Sequence, residues 1–288
     1  MKNRSLGKFA KLFFSTFMLI VFSCQGSPAD DGDESEKMDK NEYAVTGGYH
    51  QPHPLGTTAS PYGYWLFTPE AQVKLQDKIP LLVFLHGYGE RGNSKTDPAA
   101  LDRILFHGPP KLINSGKWAS KNIMYVASAQ CHGDWWNRDM VKQFIEYLME
   151  SNEKIDTSRI YLTGLSMGGY ATFDLLGTFG EAAHIAAAVP ICGSGVLSEE
   201  GNSKLSKIPL WVFHGDTDKT VSPEYSKAIV PAINKLNPEV PAKLTIFPGV
   251  GHDSWTMTYD GTGMGMEDPD YDAFDADIYI WMNQYKKK

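Results

Sequence analysis

The sequence predicts an α/β fold: one domain built on a mostly parallel β-sheet with helices on both faces. Three observations lead there. Apolar runs rich in β-branched and aromatic residues alternate along the chain with segments of helical periodicity. A strand-like run, Arg159 to Thr163, meets a helix-like one, Gly169 to Leu176, through the tight turn Gly164-Leu165-Ser166-Met167-Gly168. Further on, a pair of aspartates and a histidine each fall just past the end of a strand, where open parallel sheets bind their ligands.

The elements follow in order. Strands are expected at Tyr64–Phe67 and Leu81–His86, a helix near Ala99–Phe106, a strand at Asn122–Gln130 and a helix at Met140–Ser151. Past the turn at Ser166 come strands Ala186–Ile191 and Leu210–His214, helix Pro223–Leu236, strand Leu244–Phe247 and a closing helix, Ala276–Tyr285. Residues 42–288 are of a size that α/β folds use as a single domain, and a chain that is 42% hydrophobic can fill a large core. The formal net charge of -7, with no basic stretch interleaved with aromatics, argues against a nucleic-acid partner. There is no H-E-x-x-H, no C-x-x-C and no Gly-rich phosphate loop, so the reading calls for no metal and no cofactor.

Ser166 carries the chemistry. A turn this tight strains its backbone and pushes the hydroxyl outward, and side chains at Gly164 or Gly168 would collide with the neighbouring strand or helix. A serine hydroxyl attacks only when a base takes its proton, and the base needs a carboxylate to orient it. The strand Ile208–His214 runs into Gly215-Asp216-Thr217-Asp218, which offers two aspartates. The strand Ala242–Phe247 runs into Pro248-Gly249-Val250-Gly251-His252. Among eight histidines, His252 alone follows both the serine and the acids. His86 and His214 end strands and suit hydrogen bonds to loop backbone; His50, His53, His107, His132 and His184 read as surface or packing residues.

The G-x-S-x-G turn, the His86-Gly87-Tyr88-Gly89 loop after an apolar strand, and the run His214 to Val221, which fits H-G-x-x-D-x-x-V, together resemble the phospholipase/carboxylesterase and dienelactone-hydrolase branch of the α/β-hydrolases. The resemblance covers nearly all of the chain past residue 41. It implies a single-domain α/β-hydrolase with Ser166 as nucleophile and His252 as base. It also implies Asp218, the second carboxylate of its loop, as the orienting acid, leaving Asp216 to cap a turn or bind loop amides. The oxyanion donors it implies are the backbone N–H groups of Tyr88 and Met167, each contributing on the order of 3–4 kcal/mol of barrier lowering. Glu90 and Arg91 read as an ion pair with loop-amide contacts. The expected reaction is cofactor-free hydrolysis of carboxylic esters through an acyl-enzyme. A serine peptidase or a thioesterase on the same scaffold are the alternatives. A non-catalytic carbohydrate binder is disfavoured, since it need not keep Ser166, Asp218 and His252 together.

Trp135 and Trp136 follow a strand end and Trp255 follows His252, which places all three on the expected rim of the site. Their faces would either stack on sugar or phenolic rings or pack the loops together. A resemblance to esterases that remove acetyl or feruloyl groups from plant polysaccharides points to the first. Cys131 and Cys192 either pair or stay as two buried thiols.

The N-terminus concerns location. Lys2, Arg4, Lys8 and Lys11 precede an apolar core, Leu12 to Phe22, that is too short to span a bilayer and fits a signal peptide over residues 1–23. Its end, Val21-Phe22-Ser23-Cys24, resembles the lipobox of bacterial lipoproteins, with Phe22 where a smaller residue is usual. The resemblance implies a lipidated Cys24 and a protein held in the cell envelope, on the periplasmic or outer surface of an outer membrane. The alternative is an ordinary cleaved signal with an incidental cysteine. Residues 24–41, with Asp30, Asp31, Asp33, Glu34 and Glu36, are too polar to bury themselves and read as a flexible tether.

Overall fold

The computed structural model describes residues 47–70, 77–118, 123–195 and 198–287. The expected signal peptide, Cys24, the tether and Asn122 lie outside them. Eight strands form one sheet: β1 (Gly48–His53), β2 (Gly63–Pro69), β3 (Ile79–Leu85), β4 (Tyr125–Gln130), β5 (Ile155–Leu165), β6 (Ala187–Ile191), β7 (Trp211–Gly215) and β8 (Lys243–Phe247). Their order is β1-β2-β4-β3-β5-β6-β7-β8. β1 with β2 and β2 with β4 are antiparallel, and all other pairings are parallel. Every residue of β3, β4, β6 and β7 is buried, so both faces of the sheet are covered there. That is why these strands read as unbroken apolar runs instead of alternating ones. Leu81, Leu82, Phe84 and Leu85 have no exposure at all, and each such side chain contributes roughly 1.5–3 kcal/mol of burial.

Seven α-helices are described: α1 (Gly108–Asn114), α2 (Arg138–Ser151), α3 (Met167–Phe179), α4 (Glu199–Leu205), α5 (Glu224–Asn234), α6 (Trp255–Tyr259) and α7 (Ile278–Met282). α2 starts where the Asn137 side chain accepts the Met140 N–H at 3.0 Å. Two expected helices differ. Residues Pro98–Phe106 wind as a 3₁₀-helix, and Gly108-Pro109-Pro110 follows directly. The two prolines have no N–H to extend an i→i−4 ladder, so a new helix begins there. The closing helix is only Ile278–Met282, because tertiary bonds take the chain beyond it. The Tyr161 hydroxyl donates to the Tyr285 carbonyl at 3.1 Å, and the Lys287 N–H donates to the Ser158 carbonyl at 2.7 Å.

The topology sets the site. The chain leaves β3 for β4 on one side, then passes back over β3 to enter β5 on the other. β3 and β5 are neighbours whose following loops diverge, which opens a crevice at their C-terminal ends.

Candidate active site

Ser166 is the single residue between β5 and α3, with φ 52 and ψ -115, a conformation L-residues rarely adopt. Its N–H donates to the Ile191 carbonyl at 3.0 Å, and its own carbonyl accepts the Tyr170 N–H at 3.0 Å. The glycines around it are required by close approach. A Cβ on Gly168 would lie 1.9 Å from the Leu85 carbonyl oxygen, and one on Gly164 would lie 2.4 Å from that of Gly168. α3 therefore presses directly on the ends of β3 and β5. Met167 opens the helix, so its N–H has no acceptor within it and faces the crevice end of the sheet.

The structure brings Ser166, His252 and Asp218 together from three loops. His252 Nε2 lies 2.9 Å from Ser166 Oγ, and Nδ1 lies 2.7 Å from Asp218 Oδ2. A carboxylate only accepts, so Nδ1 carries the proton and Nε2 is the acceptor for the serine hydroxyl. The other Asp218 oxygen, Oδ1, accepts the N–H groups of Thr220 at 2.8 Å and Val221 at 3.0 Å. Burial acts to raise this carboxyl, but the bonds from His252, Val221 and Thr220 outweigh it and hold Asp218 below its ordinary value. Beneath it, His214 donates from Nε2 to the Val221 carbonyl at 2.9 Å, with Asp218 Oδ2 at 3.3 Å, and accepts from Ser226 at Nδ1. Asp216 serves elsewhere, since its Oδ1 accepts the Gly249 N–H and ties down the loop that carries His252.

The loop after β3 abuts the nucleophile, since a Cβ on Gly87 would lie 3.7 Å from Ser166 Cβ. His86 anchors it. The Cys131 N–H donates to His86 Nε2 at 2.9 Å, so the proton is on Nδ1, which donates to the Gly87 carbonyl at 2.6 Å. Complete burial holds this imidazole down to about 4, in its neutral form. The Tyr88 side chain is 58% exposed, with the Arg91 guanidinium stacked 3.3 Å from its ring centroid. Glu90 and Arg91 do not pair with each other as expected. Consecutive side chains diverge: Arg91 reaches Asp134, and Glu90 turns inward beside His107 at 3.6 Å and His86 at 3.9 Å. Burial pushes the Glu90 carboxyl up against the opposing pull of His107 and the Gly87 and Glu90 amides.

The three tryptophans separate. Trp135 is 51% exposed and stands edge-on to Tyr170 at 5.7 Å. It opens a groove of about 600 Å³ that runs along α3 past Tyr170, Asp174, Ser194 and Tyr225. Trp136, expected on the rim, is 5% exposed instead; its indole N–H donates to the His86 carbonyl at 3.1 Å, so it packs the loop. Trp255 is 9% exposed and stands perpendicular to the His252 ring at 5.2 Å, so it too packs against the site rather than rimming it. From sequence, Tyr170 has no role and His107 reads as a surface or packing residue, yet Tyr170 lines the groove and His107 stands beside Glu90 and Trp255. Tyr170 had a usable signal, one helical turn after Ser166; His107 had none. Cys131 and Cys192 are both buried free thiols. Among the described residues one trio of possible metal ligands, Cys192, Asp218 and His252, lies within 4.8 Å, but His252 has both nitrogens engaged with Asp218 and Ser166.

A family model described as Phospholipase/Carboxylesterase matches residues 68–260, about two thirds of the chain. The chain belongs to the phospholipase/carboxylesterase family. With it goes membership of the esterase branch of the α/β-hydrolases, and the matched span holds the loops of Tyr88, Ser166, Asp218 and His252. A thermostable esterase of known crystal structure is 26% identical with a TM-score of 0.59; the match covers 84% of this chain and 64% of that one. The chain thus spans just under two thirds of that esterase's length. Esterase PE8 is 19% identical with a TM-score of 0.48, over 65% of this chain and 92% of that one. Among curated protein sequences none matches.

Proposed function

We propose that the protein is a serine carboxylic-ester hydrolase working through an acyl-enzyme. The observation that carries this is the unbroken chain from Ser166 Oγ through His252 to Asp218. In this reading Ser166 Oγ attacks the ester carbonyl while its proton passes to His252 Nε2. The carbonyl oxygen becomes an anion stabilised by the N–H groups of Met167 and Tyr88. Collapse breaks the C–O bond, and the Nε2 proton goes to the departing alcohol, leaving the acyl group on Ser166. Water then attacks, giving its proton to Nε2, and the acid leaves as Ser166 recovers its proton. Asp218 keeps the imidazole in the tautomer that both halves need.

A finer reading concerns the substrate, an acetyl or feruloyl ester linked to carbohydrate. It is supported by the groove along α3, which is lined by exposed Trp135 and Tyr225 and by Tyr170, one helical turn past Ser166. Flat faces of this kind suit sugar rings. The test compares kcat/KM on acetylated xylan fragments and methyl ferulate with that on alkyl esters, amides and thioesters of similar size. Carbohydrate-linked or feruloyl esters should lead, and Trp135→Ala should lower their kcat/KM about tenfold, the scale of one lost stacking contact, while sparing alkyl esters. Equal cleavage of alkyl esters with an indifferent Trp135→Ala would leave a general carboxylesterase. We further propose, from Val21-Phe22-Ser23-Cys24 and the acidic stretch behind it, that the enzyme is anchored in the bacterial cell envelope through lipid on Cys24. Full-length protein should sediment with membranes and take up labelled lipid, and Cys24→Ala should abolish the label; an unlabelled, soluble wild type would defeat the anchor.

A further inference from the structure

We propose that Glu90 and His107 are positioning residues: a buried carboxylate and a partly exposed imidazole that fix the oxyanion loop and, through Trp255, brace the ring of His252. The inference rests on the esterase reading above. Glu90 is 6% exposed and closes the short 3₁₀ turn Tyr88–Glu90. Its Oε2 has no hydrogen-bond partner and lies 3.2 Å from the point where a Gly87 side chain would begin, the same point that is 3.7 Å from Ser166 Cβ. The carboxylate is thus packed against the loop backbone beside the nucleophile. A charge held there and left unpaired would oppose the negative charge that develops on the substrate oxygen.

His107 approaches the other carboxylate oxygen. It sits between the 3₁₀-helix Pro98–Phe106 and α1, with Nε2 3.6 Å from Glu90 Oε1. Its Nδ1 faces the Trp255 indole N–H at 3.4 Å, and the two rings stand edge to face at 5.4 Å. A ring that accepts at Nδ1 carries its proton on Nε2, so the N–H faces the carboxylate. Trp255 in turn stands at 89° to His252, which leaves the base ring little freedom to rotate about the axis that Asp218 does not fix. Arg103, on the same 3₁₀-helix, donates to the Arg91 carbonyl at 2.8 Å and ties that helix to the oxyanion loop a second time. Three segments, around 86–92, 103–107 and 252–255, are thereby joined.

A pair that only stabilised the fold would change the melting temperature and leave turnover per folded molecule alone. A pair that positions the machinery should act on kcat, because small displacements of reacting groups are costly. The test uses His107→Phe, which keeps a ring and loses both polar contacts, and the near-isosteric Glu90→Gln, alone and together. The measurements are kcat and KM on a short aryl ester, and the Ki of a boronic acid, which binds a serine nucleophile as a tetrahedral anion. His107→Phe should lower kcat by about tenfold or more with KM within about twofold, and Ki should weaken by the same factor as kcat/KM. Glu90→Gln should do the same to a smaller extent, and the double variant should be no worse than His107→Phe. Retained kcat in both single variants, effects that multiply in the double one, or a lower melting temperature with unchanged kcat per active site would each overturn the proposal. Should His107→Phe fail to fold, Glu90→Gln alone decides by the same kcat and Ki criteria. A wild-type protein inert towards every ester would overturn the esterase reading and this one with it; an active wild type with indifferent variants overturns this one alone.

Discussion

Ser166→Ala is expected to lower kcat on a short aryl ester by about 10⁴- to 10⁶-fold. The substitution removes one oxygen and nothing else that the site uses. His252 and Asp218 keep their 2.7 Å bond, and the N–H groups of Met167 and Tyr88 stay where the backbone puts them. What remains is attack by water on a bound, polarised carbonyl, so activity should drop to a residue well above the uncatalysed rate without vanishing. The strain at φ 52 belongs to the backbone, and serine and alanine carry the same Cβ through it, so the melting temperature should barely move. The paired measurement separates a lost nucleophile from a broken elbow. A variant that keeps a tenth or more of the wild-type kcat would remove Ser166 from its role.

The parts of this fold that were legible beforehand are those where burial leaves no choice. β3, β4, β6 and β7 lie between covered faces, and continuous apolar runs satisfy that, so their positions showed. The elbow was legible for a steric reason that survives in the structure: Gly164 and Gly168 meet backbone oxygens at distances no Cβ tolerates. β1 was not. Gly48-Tyr49-His50-Gln51-Pro52-His53 has no β-branched residue and contains a proline, and it is a strand only because it pairs antiparallel with β2 at the sheet's edge. The short helices α4 and α6 also went unread, since five to seven residues give too few turns for a periodic signal.

Within the site, the groups that terminate strands could be ordered along the chain, and the structure gathers Ser166, Asp218 and His252. Which way a loop side chain turns could not be read. Trp135 and Trp136 are neighbours with the same ring, yet one faces solvent and the other donates to His86 in the interior. Glu90 lies next to Arg91 in sequence, yet turns towards His107, which approaches it from the far end of a 3₁₀-helix. Such pairings depend on the crossing of segments, and composition carries no trace of it.

Asp218→Asn is expected to cost about 10⁴-fold in kcat, and Asp216→Asn no more than about threefold. The difference follows from which hydrogen bonds an amide can replace. Oδ1 of Asp218 is fixed by two donors, the N–H groups of Thr220 and Val221, so an asparagine must put its carbonyl oxygen there. Its NH₂ then takes the place of Oδ2, opposite His252 Nδ1. Two donors cannot share that contact, and the imidazole responds by moving its proton to Nε2. Nε2 is the atom that must accept from Ser166 Oγ, so the base is present in the wrong tautomer. Turning the amide over is blocked as well, because the NH₂ would then meet both backbone N–H groups. His214, whose Nε2–H donates to the Val221 carbonyl, lies 3.3 Å from Oδ2 as well and sets a third donor beside that contact. Asp216 has no such constraint: its single described side-chain bond is from the Gly249 N–H, which an asparagine carbonyl accepts equally well. The comparison is made on kcat at one fixed, mildly alkaline pH, with circular dichroism to show that both variants are folded. If Asp216→Asn proves the more damaging of the two, the orienting carboxylate is Asp216 and the 2.7 Å bond from His252 to Asp218 is not the one that catalysis uses.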